Sequence, residues 1–321
     1  MIRIGFSFNL KDTSFKGSDR HAEYETPETI EAITRALSAF GEVIPLPCDT
    51  TLISRLMNDT PDLIFNIAEG WGGRDRESFV PVLSSMLEIP HTGSDAAALA
   101  LTMDKALTKR VLRDAKIRTP DFILLREIPE YPPPFGFPAF VKPNCDGSSR
   151  GISGKSLVSG MDSYRELIGV ILGEYGQPAL VEPYLDGRDF CVGLLGNDPP
   201  RILQTCEVLL GHEEGIPFFS YEYKRHDTDR LDMSPSGIDT AEMENMALAA
   251  WEILGCRDYA RLDFRTDSRG VPFFLEVNAL PGLSPVSGIF VRQAAASGIP
   301  FEELIGKIFE RVWRGRMKDE E

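Results

Sequence analysis

The chain has 321 residues, of which 42% are hydrophobic and 26% are charged, and its formal net charge is −15. That length exceeds one typical hydrophobic core, so it predicts two or three domains with sizeable cores. The acidic balance excludes nucleic acid as a bulk partner, because nucleic-acid binding needs a basic surface, but it allows a local basic pocket for phosphate.

No segment has the features of a membrane or export signal. The N-terminal apolar run is too short for a signal peptide, and no stretch approaches the length of a membrane span. The five cysteines stand apart, without a CxxC pair, and we interpret them as reduced thiols that mostly fill cores. Cys145, in a glycine-rich loop, is the one that could be exposed. These features predict a cytoplasmic protein without a membrane partner.

The first hundred residues alternate between predicted strands and helices. Strands are predicted at 2–8, 43–46 and 62–67, and helices at 29–40 (with Gly41 as the C′ residue), 52–57 and 79–87. Such alternation predicts a parallel sheet with helices packed on it, so we assign residues 1–102 to a Rossmann-like α/β domain. Its loops at 9–28 and 68–77 lie at strand ends, where ligands approach such sheets.

Residues 103–185 predict a small α+β domain. An exposed helix is predicted at 104–114, a proline-rich loop at 131–136, strands at 139–141 and 179–182, and a helix at 164–172. The turn after Lys142, DGSSRG, has the form of a phosphate cradle, because small residues let backbone N–H groups turn toward an anion. The hydroxyls of Ser148 and Ser149 add donors. The alternative is an ordinary hairpin loop, since the Walker A pattern is absent.

Residues 186–321 predict an α+β domain rich in strands. Strands are predicted at 189–195, 201–209, 260–264 and 273–277, and helices at 240–254 and from Phe301 onward. The last two strands form a hairpin around the turn TDSRG.

The polar side chains of this hairpin carry the clearest chemical signal. Because side chains alternate faces along a strand, Arg261 and Asp263 share one face, and Phe274, Glu276 and Asn278 share a face of the second strand. Two carboxylates that converge repel each other unless a cation lies between them, and oxygen ligands of this kind suit Mg²⁺. The alternative is a solvated hairpin with charged outer faces.

Several motifs occur in an order that resembles the ATP-grasp fold and, more narrowly, the D-alanine–D-alanine ligase family. They are MDK at 103–105, FVKPNCDGSSRG at 140–151, LVEPYLDGRDF at 180–190, YEYKR at 221–225 and RLDF…FLEVNALPG at 261–282. IPHTGSDAAALALTMDK at 89–105 is similar to the junction IPYTGS…MDK of that family. The resemblance covers nearly the whole chain, in order and with similar gaps.

The resemblance implies ATP and two Mg²⁺ ions, which Mn²⁺ could replace, between the second and third domains. It assigns the nucleotide contacts to Lys105 and Lys142 (α- and β-phosphates), Ser149 (phosphate loop), Lys224 (γ-phosphate), Glu182, Tyr184 and Leu185 (adenine) and Asp189 (ribose). It assigns the metal ions to Asp263, Glu276 and Asn278, in agreement with the strand-face argument.

The resemblance also implies a reaction, the ADP-forming ligation of a carboxylate to an amine through an acyl phosphate. It assigns the tetrahedral transition state to Arg261 and the backbone of Gly282, the carboxylate of the second substrate to Ser287, and the ammonium of the first substrate to Glu23 in a group with Ser148. Glu25 is a credible substitute for Glu23, and the resemblance leaves room for a homodimer.

The chain departs from the family pattern on the substrate side. Glu69 lies near the position of a family histidine, WGGRDRE replaces the family's GEDG, and Arg225 stands where the family has tyrosine. We predict that Arg225 binds a carboxylate of the substrate, the alternatives being solvent or an ATP phosphate. The charged segment 218–233 is predicted to close over ATP.

Three functions compete at this point. The first is a strict D-alanine–D-alanine ligase, and the second is a related ligase for other small amino-acid-like substrates. The third is an ATP-binding regulatory or assembly protein without ligase activity. Retention of Asp263, Glu276 and Asn278 favours the ligases over the third, because a protein that only binds nucleotide need not keep two metal sites.

Overall fold

The computed structural model of the protein describes residues 1–11, 22–209 and 231–319, the last five of these as backbone. Lys224, Arg225 and most of the predicted lid at 218–233 lie outside the described residues.

The N-terminal part contains a parallel sheet, as predicted. Strand β1 (Ile2–Phe8) lies between β2 (Gly41–Pro47) and β3 (Leu63–Asn66) and is parallel to both. The accompanying helices are α1 (Pro27–Leu37), α2 (Leu52–Asn58), α3 (Phe79–Met86) and α4 (Ala96–Met103). Helix α1 begins where it does because the Thr26 side chain accepts from the N–H of Thr29 and proline occupies the first turn.

Gly41 does not have its predicted role as the residue that ends α1. The helix ends at Leu37, and the N–H of Ser38 bonds to the carbonyl of Thr34. Gly41 instead begins β2 opposite Ile2, where an added Cβ would lie 2.2 Å from the Ile2 carbonyl oxygen. The glycine is therefore required by a close strand–strand approach rather than by a helix C-terminus.

The middle part contains an antiparallel sheet in the order β4-β7-β5-β6. Its elements are β4 (Ile123–Leu125), β5 (Ala139–Pro143), β6 (Leu157–Val158), β7 (Ala179–Pro183) and the covering helix α6 (Met161–Glu174). Val141, Tyr164 and Ile168 are among the fully buried side chains of its own hydrophobic core.

Helix α5 (Lys105–Asp114) precedes this sheet, and the prediction that it is exposed is wrong. Ala106, Lys109 and Leu112 are completely buried. The amphipathic pattern was interpreted as a solvated face because four of its ten residues are lysine or arginine. Two of those lysines, Lys105 and Lys109, point inward, where carboxylates pair with them.

The C-terminal part contains an antiparallel sheet in the order β11-β10-β8-β12-β13, with β9 also paired to β8. The strands are β8 (Asp189–Leu195), β9 (Arg201–Ile202), β10 (Cys206–Val208), β11 (Leu231–Asp232), β12 (Tyr259–Thr266) and β13 (Pro272–Asn278). The helices are α7 (Ala241–Leu254), α8 (Ile289–Ala296) and α9 (Phe301–Asp319).

The predicted strand 201–209 is interrupted between β9 and β10. There the backbone of Gln204 bonds to α8 and the turn after it, because Gln293 donates to the Gln204 carbonyl at 3.1 Å and the Gln204 N–H donates to Ser297 at 2.7 Å.

Helix α9 returns to the N-terminal part and packs on α1. The rings of Phe40 and Phe309 lie 4.8 Å apart, and one continuous core includes side chains from β1, α1, β8, β12 and α9. All five cysteines are free and buried, so the expectation that Cys145 could be exposed is wrong. Each helix of the described part of the chain is too short or too polar to cross a lipid bilayer.

Candidate functional site

A cleft separates the middle sheet from the C-terminal sheet. Strands β5 and β7 form one wall, and β8, β12 and β13 form the other. Most of the nucleotide and metal residues predicted from the sequence line this cleft.

The β12–β13 hairpin brings the predicted metal ligands together. Arg261 lies opposite Asn278, and Asp263 lies opposite Glu276. Residues directly opposite in an antiparallel pair have neighbouring side chains, so the acidic groups converge at one point of the cleft wall.

One face assignment in the hairpin is wrong. The register shifts at a β-bulge after Asp263, so that Phe264 lies opposite Phe274, and the two rings pack edge-to-face at 5.8 Å in the core. Phe274 is therefore on the face away from Glu276, while Leu275 joins Glu276 in the cleft. A bulge adds one residue to a strand and breaks the strict alternation on which the prediction relied.

Each carboxylate of the hairpin is paired with a cation. Arg261 donates to both oxygens of Asp263 at 2.8 Å, and the Asn278 amide donates to Asp263 at 3.1 Å. The ammonium of Lys105 lies 3.3 Å from Glu276. Burial opposes ionisation of Glu276, but Lys105, Lys142 and Arg261 together outweigh it and hold the pKa of this carboxyl well below its ordinary value.

The donor set fits Mg²⁺. Two carboxylates and one amide oxygen are hard oxygen ligands, which this ion prefers over nitrogen and sulfur. Among the residues that the structure describes, no group of three His, Cys, Asp or Glu side chains is arranged to hold a metal ion. Asn278 is accordingly the residue that would complete the set with Asp263 and Glu276.

Glu182 lies between two buried lysines. Its carboxylate oxygens are 2.7 Å from the ammonium of Lys109 and 3.0 Å from that of Lys142. Burial works against the ionised form of Glu182, but the two lysines prevail and lower its pKa. Lys109 was not predicted; the signal was its position four residues after Lys105, which places both on one helix face.

The wall beside the hairpin carries an excess of positive charge. Lys105, Lys109, Lys142 and Arg261 are four cations, and they share three carboxylates, those of Glu182, Asp263 and Glu276. Burial, reinforced by Lys142, lowers the pKa of Lys109 to about 8. An anionic ligand would relieve this excess.

The predicted phosphate loop has an unusual backbone. Ser148 and Ser149 both adopt left-handed conformations, with φ of +51° and +58°. Such strain in residues other than glycine persists only where surrounding contacts enforce it. Here Asp146, which was not predicted, accepts from Arg150 at 2.8 Å and from Gln177 at 2.6 Å and so anchors the start of the loop.

Three of the four residues predicted for adenine and ribose lie together, while Glu182 lies between Lys109 and Lys142. Tyr184 and Leu185 follow β7, and Asp189 begins β8. All three bond to Arg265 on β12, a residue that the sequence analysis missed.

On the substrate side, Glu23 bonds to the phosphate loop through the backbone rather than through Ser148. Its carboxylate accepts from the N–H of Gly147 at 2.6 Å, and Arg76 donates to both of its oxygens at 2.7 Å. Arg76 also donates to the carbonyl of Cys145 at 2.9 Å. Arg76 was missed because it lies in the segment WGGRDRE, which replaces the GEDG of the family pattern.

Glu25 faces the other loop of the substrate side. An added Cβ on Gly282 would lie 3.5 Å from a Glu25 oxygen, and the Leu283 N–H bonds to the Glu25 carboxylate. Burial raises the pKa of Glu25 to about 7. Ser287 lies farther along the same loop, where it is exposed and its hydroxyl is 3.1 Å from that of Ser284.

Glu69 and Glu77 form a second acidic pair near Arg76. Burial raises the pKa of Glu69 well above its ordinary value, and it raises the pKa of Glu77 to about 7. Glu77, like Arg76, was not singled out from the sequence. Burial therefore raises the pKa of three carboxyl groups in this region, those of Glu25, Glu69 and Glu77.

Comparison with known proteins agrees with this geometry. A family model described as the C-terminus of D-ala D-ala ligase matches residues 116–310. The chain is 30% identical over 309 residues to a D-alanine–D-alanine ligase from Pelotomaculum thermopropionicum, covering 92% of this chain and 93% of that relative. It is 35% identical over 259 residues to the uncharacterized protein y4sG from Sinorhizobium fredii, covering 79% of this chain and 76% of that protein.

A solved structure shows the same fold. The D-alanine–D-alanine ligase from Bacillus anthracis, complexed with ATP, superposes with a TM-score of 0.76 and 23% sequence identity. The match covers 99% of this chain and 100% of that chain. The prediction of an ATP-grasp fold with a Rossmann-like N-terminal part is confirmed.

Proposed function

The chain belongs to the D-alanine–D-alanine ligase family and is an ADP-forming C–N ligase, and from that premise we propose that it joins two small amino-acid-like substrates through an acyl phosphate. A carboxylate oxygen of the first substrate attacks the γ-phosphorus of ATP, and ADP leaves. The amine nitrogen of the second substrate attacks the acyl carbon, phosphate leaves, and the nitrogen loses a proton to a base. The product is an amide.

The excess of positive charge in the cleft is the observation that carries this proposal. Lys105, Lys109, Lys142 and Arg261 surround the place where the hairpin carboxylates converge. Phosphoryl transfer is catalysed mainly by positioning and by charge stabilisation, which fixed cations in a water-poor cleft provide. Two Mg²⁺ ions held by Asp263, Glu276 and Asn278 would neutralise further charge on the transferring phosphoryl group.

The roles that we propose for the remaining residues are those that the family resemblance implies. Lys105 and Lys142 bind the phosphates, and the strained Ser148–Ser149 loop covers them. Arg261 turns from Asp263 toward the oxyanion of the tetrahedral species, with the backbone of Gly282 on the other side. A covered site is needed because an acyl phosphate exposed to water is hydrolysed.

We assign the ammonium of the first substrate to Glu25 rather than Glu23. The carboxylate of Glu23 is occupied by Arg76 and by the N–H of Gly147. Glu25 lies beside Gly282, and burial raises its pKa to about 7, so a bound ammonium would favour its ionised form.

A substrate panel tests the proposal. Purified protein with Mg²⁺ and ATP is incubated with pairs from a set of D- and L-amino acids, ADP release is followed, and products are identified by mass. We expect ADP release and a dehydrated condensation product with at least one pair. Glu276→Gln should remove most of the release, whereas Glu303→Gln, on an exposed glutamate of α9, should retain it. Binding of ATP with no ADP release for any pair would favour the regulatory alternative.

A further inference from the structure

Arg265, near the end of β12, contacts three of the four residues predicted for the adenine and ribose site. Its side chain is 6% exposed. The Nε donates to the carbonyl of Leu185 at 2.6 Å, one Nη donates to Asp189 at 2.6 Å, and the other donates to the hydroxyl of Tyr184 at 3.1 Å. The guanidinium also lies 5.2 Å from the centre of the Tyr184 ring, within cation–π distance.

The next residue of β12, Thr266, bonds to the linker of residues 184–188 that connects β7 to β8. The N–H of Gly187 donates to its carbonyl at 3.1 Å, the N–H of Arg188 donates to its hydroxyl at 2.9 Å, and its own N–H donates to the Arg188 carbonyl at 2.9 Å. A Cβ on Gly187 would lie 2.2 Å from the Thr266 hydroxyl oxygen. The linker from β7 to β8 is thus docked along the end of β12 by backbone and side-chain bonds.

We propose that Arg265 is a positioning residue for the nucleotide, which fixes the Asp189 carboxylate for the ribose hydroxyls and the Leu185 backbone for the base. The inference rests on the proposed function, since it requires ATP in this cleft. Arg265 binds the Oδ2 atom of Asp189, and a carboxylate held in this way keeps acceptor capacity on its other oxygen.

Only arginine can make these contacts together. The guanidinium is planar and offers five N–H donors in a fixed fork, so it can serve three acceptors on different residues at once. Without it, the Asp189 carboxylate would lose the side-chain donor that holds its Oδ2 atom. A displaced Asp189 would lose its preference for ribose hydroxyls.

The experiment measures nucleotide binding by calorimetry with Mg²⁺ and either ATP or 2′,3′-dideoxy-ATP, without amino acids. Wild type should prefer ATP by on the order of tenfold to a hundredfold, the range expected for hydrogen bonds to a charged group. Arg265→Met should reduce that preference to about twofold or less, as should Asp189→Asn. The double variant should lose no further preference, because both residues act on the same contact.

Two further variants separate positioning from a general structural role. Arg265→Lys restores the charge but not the fork, so it should recover only part of the preference, and it serves as the test if Arg265→Met does not fold. Arg269→Met, at an exposed arginine of the β12–β13 turn, should behave as wild type. Equal weakening of both nucleotides by Arg265→Met, with the wild-type ratio retained, would overturn the inference. Failure of wild type to bind ATP at all would instead overturn the proposed function.

Discussion

Replacing Glu182 by glutamine removes the carboxylate that two buried ammonium groups share. The side chains of Lys109, Lys142 and Glu182 are 0%, 5% and 4% exposed, so neither lysine can exchange its partner for bulk water without local rearrangement. Removal of one partner from a buried ion pair typically costs about 3–5 kcal/mol. Glutamine preserves the shape of the side chain, so the loss isolates the charge.

The pKa of Lys109 limits this cost. A lysine with a pKa of about 8 in the folded protein lies about one unit above neutrality. At pH 7 the charged form of Lys109 can therefore be destabilised by at most about 1.4 kcal/mol more before the lysine releases its proton, since one pKa unit corresponds to about 1.36 kcal/mol. The rest of the loss falls on Lys142. We therefore expect Glu182→Gln to destabilise the protein by about 3 kcal/mol, the lower end of the range.

The assay is urea denaturation at pH 7 of wild type, Glu182→Gln, Lys109→Met and the double variant. Because Lys109→Met removes one of the stranded ammoniums, the double variant should be more stable than the sum of the single losses by about 1–3 kcal/mol. Glu303→Gln controls for the substitution itself. Additive losses within about 0.5 kcal/mol would refute the argument that Glu182 holds the two lysines as one charged unit.

The other predictions concern pH and substrate choice. Burial lowers the pKa of His91 to about 4, so between about pH 6.5 and pH 4 the unfolded chain binds a proton that the folded chain does not. Over this range the free energy of unfolding of wild type should fall by about 3 kcal/mol more than that of His91→Gln, as measured by urea denaturation. Glu25 has the opposite sign, because its raised pKa of about 7 means that folding opposes its ionisation. Between pH 5 and pH 8 the free energy of unfolding of Glu25→Gln should rise relative to that of wild type by up to about 3 kcal/mol. Glu25→Gln should also abolish ADP release, whereas Glu23→Gln should lower the stability of the fold. Arg225→Tyr should shift ADP release toward small neutral amino acids, and a raised Michaelis constant for ATP with an unchanged amino-acid ranking would place Arg225 at the nucleotide.

The convergence of charged side chains at the β12–β13 hairpin could be predicted from the sequence because its signals are local. Alternation along two strands placed Asp263 beside Glu276, and the order of the motifs supplied Lys105, Lys142 and Glu182. Lys109, Arg265 and Asp146 were missed because their roles depend on burial and on contacts between distant segments. The bulge after Asp263 was missed because a single inserted residue leaves no distinct pattern in the residue types.

The contacts of Glu23, for which a substrate role is proposed, were less predictable for a different physical reason. The segment WGGRDRE differs from the family pattern. Its second arginine, Arg76, is a buried cation whose partner, Glu23, lies more than fifty residues earlier in the chain. Arg76 neutralises the glutamate that the resemblance assigned to the ammonium, which leaves Glu25 as the candidate. A contact of that separation cannot be inferred from spacing, because it depends on how the first loop folds back onto the sheet.

The ion pairs of the cleft bear on how ATP would bind. Asp263 and Glu276 are each paired with a cation for which a role toward the reactants is proposed, Arg261 and Lys105 respectively. Binding of Mg²⁺ and ATP would exchange these pairs rather than bury new charges. Mg²⁺ would be held by the carboxylates, Lys105 would bind phosphate, and Arg261 would turn toward the reacting carbonyl. The charged groups are already desolvated in the folded protein, and their ion pairs hold them near the positions in which they would bind the ligand. This is the arrangement expected of a site that acts by electrostatic preorganisation, and it explains why so many charged side chains are buried around one hairpin.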